Sequence, residues 1–159
     1  SFEVSPSLFK LFPRVLDLIY QENIYEANKK GIEFVIINNL GNDEIFADEY
    51  STQQILSNII ENAVKFTSNG KVEVIVNKNE SNNIVIDVKD TGIGISKEYL
   101  GQLFTPFSQE EQGYTRQFEG NGLGLAIVKR YCELNNAEIS VESEKGKGTK
   151  FSVIFKQKP

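Results

Sequence analysis

The sequence predicts an α/β two-layer sandwich, in which a mixed sheet of about five strands packs against three main helices. Two observations predict this fold. Segments with an apolar residue every three or four positions are interspersed with segments in which apolar and polar residues alternate. Their order is helix, strand, helix, strand, strand, helix, strand, strand, whereas a doubly wound fold would alternate more strictly. No repeat or linker interrupts the 159 residues, so we expect a single domain over residues 1–159.

The first part of the chain has the pattern of a short edge strand at residues 2–4 and of a helix over residues 5–30. Pro13 suits the first turn of a helix and not its interior, so it is expected to start or kink this helix. Gly31 then fits a C-cap. The apolar face of the predicted helix consists of Leu8, Phe9, Phe12, Val15, Leu16, Ile19 and Tyr20.

The middle of the chain predicts a strand, a turn, a second helix and a hairpin. The second helix is expected to begin after Asp48, a good N-cap residue. The hairpin is predicted because two stretches with a period of two flank the polar sequence NESNN. The predicted ranges are 32–37 for the strand, 38–43 for the turn, 49–67 for the helix, and 71–78 and 83–90 for the two hairpin strands.

The last part of the chain contains a long segment without sustained periodicity, at residues 105–122. Loops of this length are usually functional or mobile. A short helix capped by Ser96 is expected before it, at residues 96–103. A third long helix is expected after it, at about residues 123–135, followed by strands at 138–143 and 148–155.

The composition excludes several classes of function. The net charge of −5 argues against a nucleic-acid or anionic-membrane surface. The chain has no histidine, which excludes Ser-His-Asp and Cys-His catalysis and histidine metal sites on these residues. The one cysteine, Cys132, is expected to be a helical core thiol in a reducing compartment. Apolar runs fall far short of the roughly 20 residues of a membrane span. The missing initial Met predicts a fragment or a processed chain.

The second helix carries an unusual polar face. At 100° per residue, Leu56, Ile59, Ile60 and Ala63 form its buried stripe, and Ser51, Gln54, Asn58, Asn62 and Lys65 fall on the opposite side. A solvated face is one interpretation, but solvated faces usually use Glu, Lys and Arg, and asparagine is a poor helix former. Amide oxygens are suitable ligands for Mg²⁺, and a lysine neutralises phosphate.

Two glycine-containing segments add to this pattern. DTGIGI at residues 90–95 places a carboxylate between a strand and two glycines, which is typical of a turn and also permits close approach of a ligand. Gly120, Gly122 and Gly124 stand where the third helix begins, and helix N-termini bind anions. A mobile loop with a helix cap is the alternative. The chain has neither a P-loop nor the full Rossmann fingerprint.

In order, the blocks NIIENAVKFT, DTGIGI, LFTPF, GNGLGLAI and GKGT resemble the catalytic, ATP-binding domain of sensor histidine kinases, in the GHKL ATPase superfamily. The resemblance covers roughly residues 2–156. It implies the two-layer fold of that superfamily, with ATP and Mg²⁺ as ligands.

The resemblance implies one role for each matching residue of the adenine end. Asp90 would accept a hydrogen bond from the exocyclic amine of adenine. Gly92 and Gly94 would let the turn close around the base. Ile95 would line the nucleotide site, and Thr149 would support the polar network.

The same resemblance implies the phosphate end of the site. Asn58 and Asn62 would lie beside the metal and the phosphates, with Asn58 as the direct Mg²⁺ ligand. Lys65 would contact a phosphate, and Phe66 would pack near the nucleoside. Together with Arg116 in the loop, the two asparagines and Lys65 are the implied catalytic residues.

Residues 105–122 resemble the ATP lid of the family. Phe104 and Phe107 would anchor its near end or simply pack in the core, and Arg116 would reach the γ-phosphate or a partner domain or remain a solvated charge. The lid hinge and phosphate cradle are implied to consist of Gly120, Gly122, Leu123, Gly124 and Leu125.

The resemblance also implies partners. The γ-phosphoryl group would pass to a histidine on a separate dimerisation and phosphoacceptor hairpin, and then to a response-regulator receiver domain. The chain lacks histidine, so the acceptor and its hairpin are expected outside it. The isolated domain is expected to be a monomer that binds no nucleic acid. It is expected to be cytoplasmic, alone or as part of a membrane-anchored sensor kinase.

Two alternatives remain open at this point. One is a nucleotide-binding regulatory module of the same fold without transfer activity. The other is an ATPase of the gyrase or mismatch-repair type. Those ATPases resemble this chain but carry a glutamate that activates water, four residues before the second asparagine. Here that position is Asn58, an amide that cannot act as a base.

Overall fold

The computed structural model describes residues 3–105 and 124–157. Among these residues, seven strands and four helices alternate along the chain. The strands are β1 (Ser7–Lys10), β2 (Glu33–Asn38), β3 (Glu44–Ala47), β4 (Lys71–Lys78), β5 (Ile84–Asp90), β6 (Ala137–Glu144) and β7 (Gly148–Phe155). The helices are α1 (Asp17–Lys30), preceded by a π-helical turn at Phe12–Leu16, α2 (Glu49–Lys65), α3 (Lys97–Leu100) and α4 (Gly124–Leu134).

The predicted mixed sheet is confirmed. In the described part of the chain, five strands lie in the order β2-β4-β5-β7-β6, with β2 parallel to β4 and the other pairs antiparallel. The helices pack on one face of this sheet, and α2 contacts α1, α4 and β5. Leu56, Ile59 and Ile60 of α2 are fully buried, as the stripe predicted. Each such side chain contributes about 1.5–3 kcal/mol of hydrophobic stabilisation.

The secondary structure predicted for the first residues of the chain is wrong. Residues 7–10 form β1, which pairs antiparallel with β3 in a separate two-stranded sheet, and no strand begins at the described residues 3 and 4. A proline has no N–H and its ring clashes with the carbonyl four residues earlier, so Pro13 prevents a helix from running back through Phe9. Leu8 is therefore exposed while Phe9 is buried, which is strand alternation. Pro13 lies in the first turn of the π-helical segment Phe12–Leu16, which agrees with the expectation that it starts or kinks the helix.

Most predicted helix ends are confirmed by their caps. Asp48 accepts a hydrogen bond from the N–H of Ser51, and Ser96 accepts one from the N–H of Tyr99. Gly31 adopts φ 76°, the left-handed conformation expected of a C-cap glycine. Cys132 is buried in α4, and burial raises the pKa of its thiol to about 12. No helix among the described residues is long and apolar enough to cross a membrane.

Candidate functional site

The DTGIGI turn is held between the end of α2 and the β6–β7 turn. The N–H of Ile93 donates to the carbonyl of Phe66 at 3.2 Å, and the N–H of Gly146 donates to the carbonyl of Ile93 at 2.6 Å. A Cβ at position 92 would lie 2.3 Å from the Phe66 carbonyl oxygen. At Gly94, where φ is 73°, it would lie 2.1 Å from the Glu144 carbonyl oxygen. Both predicted glycines are therefore required by the backbone packing of the turn itself.

Asp90 ends β5 as a partly buried carboxylate. Burial raises its pKa to about 6, although hydrogen bonds from the backbone N–H groups of Gly92 and Thr149 act in the opposite direction. The Gly92 bond to Oδ1 is 2.8 Å long. The carboxylate is thus positioned by backbone donors and retains acceptor capacity, which is what recognition of an amine requires.

The polar face of α2 is only partly solvated. Ser51 and Asn62 are buried, Asn58 is half-buried, and Lys65 is exposed. The Asn62 amide nitrogen Nδ2 has no hydrogen-bond partner among the residues that the structure describes. A buried unpaired donor costs about 1–3 kcal/mol, so this amide is suited to a ligand that supplies an acceptor.

The end of α2 brings the remaining phosphate-side candidates close to the DTGIGI turn. The N–H of Phe66 donates to the carbonyl of Asn62 at 2.9 Å, and the Phe66 carbonyl accepts from Ile93. The Nζ of Lys65 lies 5.3 Å from the centre of the Phe66 ring. The C-terminal end of α2 is therefore joined by backbone hydrogen bonds to the turn that follows Asp90.

The other predicted residues divide into two groups. The first group is described, and four of its members are buried: Ile95, Gly124, Leu125 and Thr149. Phe104 packs edge-to-face on Phe151, with ring centroids 6.3 Å apart, which agrees with the core-packing interpretation of this residue. Five predicted residues lie outside the described part of the chain: Phe107, Arg116, Gly120, Gly122 and Leu123.

Two residues of the site were missed in the sequence. Lys30, at the end of α1, donates from Nζ to the carbonyls of Val64 and Lys65 at 2.7 and 2.8 Å, and so caps the last turn of α2. Ser143 of β6 accepts a hydrogen bond from the N–H of Ile95 at 2.8 Å. A lysine near a helix end is favoured by the helix dipole, but the sequence does not indicate that it caps a different helix.

Two cavities lie in different parts of the surface, and only one of them is lined by predicted site residues. A cavity of about 370 Å³ at one end of the sheet is lined by Asp90 and Thr149 and also by the outward-facing Lys89, Glu142 and Lys150. A larger one of about 470 Å³ lies at the opposite end of α2, between Phe46, Asn135 and Gln157, and contains none of the predicted site residues. The predicted site residues therefore do not line the larger cavity.

The donor set near α2 fits a magnesium–phosphate complex rather than a cation chelated by protein alone. The described residues contain no cluster of three or more acidic or cysteine side chains that could hold a metal ion. Mg²⁺ is commonly held by few protein oxygens together with substrate phosphates and water. The half-buried amide of Asn58 can supply such an oxygen.

Several known proteins are similar to this chain in sequence. Residues 47–159 match the family model of histidine kinase-, DNA gyrase B- and HSP90-like ATPases. The autoinducer 2 sensor kinase/phosphatase LuxQ of Vibrio parahaemolyticus is 43% identical over 142 residues, which are 84% of this chain and 17% of LuxQ. Hybrid signal transduction histidine kinase B of Dictyostelium discoideum is 38% identical over 92% of this chain and 8% of its own length.

Solved structures agree with the fold. Full-length ShkA in complex with AMPPNP superimposes with a TM-score of 0.82 at 30% identity, over 97% of this chain and 31% of ShkA. The nucleotide-free catalytic domain of histidine kinase ThkA has a TM-score of 0.78 at 23% identity, over 95% of both chains. The chain spans only a small part of the length of the curated relatives that it matches.

Proposed function

The chain belongs to the family of histidine kinase-, DNA gyrase B- and HSP90-like ATPases, as a catalytic domain of the sensor histidine kinase type. On this premise, we propose that it binds Mg·ATP and donates the γ-phosphoryl group to a histidine on a separate domain. One observation carries the proposal. The turn bearing the Asp90 carboxylate is hydrogen-bonded to the Phe66 carbonyl at the end of α2, the helix that carries the amide of Asn62, which is buried and has no partner among the described residues.

The adenine end follows from the chemistry of Asp90. The carboxylate accepts from the N–H groups of Gly92 and Thr149, and the lone pairs that remain on its two oxygens are the acceptors for the exocyclic amine of the base. The turn is fixed by backbone contacts at Gly92 and Gly94, so these acceptors are positioned before the nucleotide binds. Preorganisation of this kind lowers the entropic cost of binding.

The phosphate end follows from α2 and the residues beyond it. Asn62 supplies an amide donor for a phosphate oxygen, and Lys65 a positive charge. Asn58 supplies the oxygen that holds Mg²⁺, which neutralises developing charge on the phosphates when it is bound. Arg116 and the glycines at 120, 122 and 124, which resemble the ATP lid of the family, are proposed to contact the phosphates. Positioning and charge neutralisation, rather than covalent chemistry, supply the rate enhancement.

Transfer is proposed rather than hydrolysis, because α2 offers no base beside the phosphates. Asn58 occupies the position of the glutamate found in the related ATPases, and Glu61 is exposed whereas Asn62 is buried. The nucleophile must therefore be competent without activation, as a neutral imidazole is. No histidine lies within these 159 residues, so a histidine on another segment or chain is the acceptor. A receiver-domain aspartate is the proposed next acceptor.

Replacing Asn58 with alanine tests the metal side of this proposal. We expect the dissociation constant for ATP in the presence of Mg²⁺ to rise about tenfold, because a metal ligand is lost, while binding in EDTA changes by less than about twofold. Calorimetry with and without Mg²⁺ measures both. Gln54→Ala, one turn earlier on the same side of α2, is the matched control and should change neither value. Equal losses with and without Mg²⁺ would remove Asn58 from the metal site.

A further inference from the structure

The last carbonyl groups of α2 are bound by partners outside the helix. A helix leaves its last four carbonyls without a partner within the helix itself. In α2 these belong to Asn62, Ala63, Val64 and Lys65. The N–H of Phe66 donates to the first of them at 2.9 Å, and the hydroxyl of Thr67 donates to the second at 2.7 Å.

The other two carbonyls are bound by Lys30, the last residue of α1. Its Nζ lies 2.7 Å from the carbonyl oxygen of Val64 and 2.8 Å from that of Lys65. An ammonium group has several N–H donors, so it serves both carbonyls at once. These charge-assisted hydrogen bonds place a full positive charge on the negative end of the helix dipole.

Lys30 reaches α2 from a fixed position. The chain leaves α1 in a Schellman motif, in which the N–H of Ile32 donates to the carbonyl of Ala27 and the N–H of Gly31 to that of Asn28, both at 3.1 Å. Ala27 and Ile32 are buried. The backbone that carries the lysine is therefore anchored in the core.

The charge of Lys30 matters because of what this end of α2 binds. Under the proposed function, Asn62 and Lys65 contact the phosphates from the last turn of the helix. The C-terminus of a helix carries about half a negative charge, which repels an anion near the last turn. Without a counter-charge, the helix end would therefore oppose the ligand that its side chains hold.

We propose that Lys30 is a positioning residue of the nucleotide site: by donating to the Val64 and Lys65 carbonyls, it offsets the negative end of α2 and holds the turn that carries the phosphate contacts. Lys30 acts through the helix and not by contact with the nucleotide. Because a dipole end acts on charge, its effect grows with the number of phosphates and is screened by salt. The inference rests on the proposed function and adds a residue that lies outside every sequence block of the site.

Calorimetry of Lys30→Met with ATP, ADP and AMP, at low and at high salt, tests this role. Lysine and methionine have similar helix propensities, so α1 itself is little disturbed. We expect the dissociation constant for ATP to rise about fivefold at low salt, because the helix end then repels the phosphates. The constant for ADP should rise less and that for AMP least, and each loss should shrink at high salt.

Three further variants separate the possible causes. Lys30→Arg keeps a cation with several donors and should bind ATP as the wild type does. Lys29→Met removes the same charge from the neighbouring exposed residue of α1, and as the matched control it should change each constant by less than about 1.5-fold. Lys30→Gln loses the charge but keeps a neutral donor, so its ATP affinity should fall even if Lys30→Met does not fold.

Urea unfolding without nucleotide completes the test. The unfolding midpoint of Lys30→Met should fall, because two carbonyls lose their donor, and an unchanged midpoint with weaker ATP binding would mean that Lys30 contacts a phosphate directly. That result would overturn the inference, as would an equal loss of affinity for all three nucleotides or a loss that does not depend on salt. Failure of the wild-type domain to bind ATP would instead overturn the proposed function.

Discussion

Replacing Asp90 with asparagine is expected to weaken ATP binding more than tenfold while stabilising the ligand-free domain at neutral pH. The amide oxygen of the new side chain keeps the hydrogen bond from the Gly92 N–H. The second carboxylate oxygen is replaced by an NH₂ group, which places a donor against the donor amine of adenine. Loss of a charge-assisted hydrogen bond and its replacement by two facing donors explain an effect of this size.

The stability gain follows from the pKa of Asp90, which is about 6 in the folded domain against an ordinary value of 3.8. The folded state binds this proton more tightly than the unfolded state does, so the contribution of Asp90 to stability falls as pH rises between these values and stays lowered above pH 6. Two pKa units correspond to about 2–3 kcal/mol. We expect Asp90→Asn to be more stable than the wild type by up to about 2 kcal/mol at pH 7, and the difference to vanish near pH 4.

Urea unfolding of both proteins at pH 7 and pH 4, with calorimetry of ATP binding at pH 7, measures the two effects. A variant that binds ATP as tightly as the wild type would remove Asp90 from base recognition. A difference in stability that did not depend on pH would show that ionisation of Asp90 is not its cause.

Replacing Gly94 with alanine is expected to lower the free energy of unfolding by more than about 2 kcal/mol. Position 94 has φ 73°, and a left-handed conformation costs a residue with a side chain about 1–2 kcal/mol. The added Cβ would also lie 2.1 Å from the backbone carbonyl oxygen of Glu144, which cannot yield without displacing the β6–β7 turn. Nucleotide affinity should fall as well, since the same turn carries Asp90.

The matched control for Gly94 is Gly101, which follows α3 with φ −68°. Apart from its chain neighbours, no atom of a described residue lies within 4 Å of the place that a Cβ at Gly101 would occupy. Gly101→Ala should change the free energy of unfolding by less than about 0.5 kcal/mol. Urea unfolding compares the two variants. Equal stability of Gly94→Ala and wild type would show that the turn is not constrained as its backbone contacts indicate.

The parts of this fold that the sequence predicts are those specified locally. The period of α2, its Asp48 cap and the alternation in β4, β5 and β7 each depend on residues within one segment. The candidate site is predicted for a related reason. Its residues occur in ordered blocks, and each block keeps its side chains together on one turn or one helix face.

The parts that the sequence does not predict depend on contacts between distant segments. The residues of β1 become a strand because β3 pairs with them from a distant part of the chain, and neither segment shows this partner on its own. Lys30 caps α2 from the end of α1, and Ser143 reaches Ile95 from β6. These roles exist only after the sheet and helices have assembled, so a single sequence carries no signal for them.

The most direct test of the account is transfer of the γ-phosphoryl group from labelled ATP to a helical hairpin that bears the proposed acceptor histidine and is supplied as a separate domain. We expect label on the hairpin that is acid-labile and alkali-stable, as phosphohistidine is, with little release of inorganic phosphate when the hairpin is absent. A hairpin whose acceptor histidine is replaced by glutamine should remain unlabelled. ATP binding without labelling of the intact hairpin, or rapid hydrolysis by the domain alone, would contradict the proposed function.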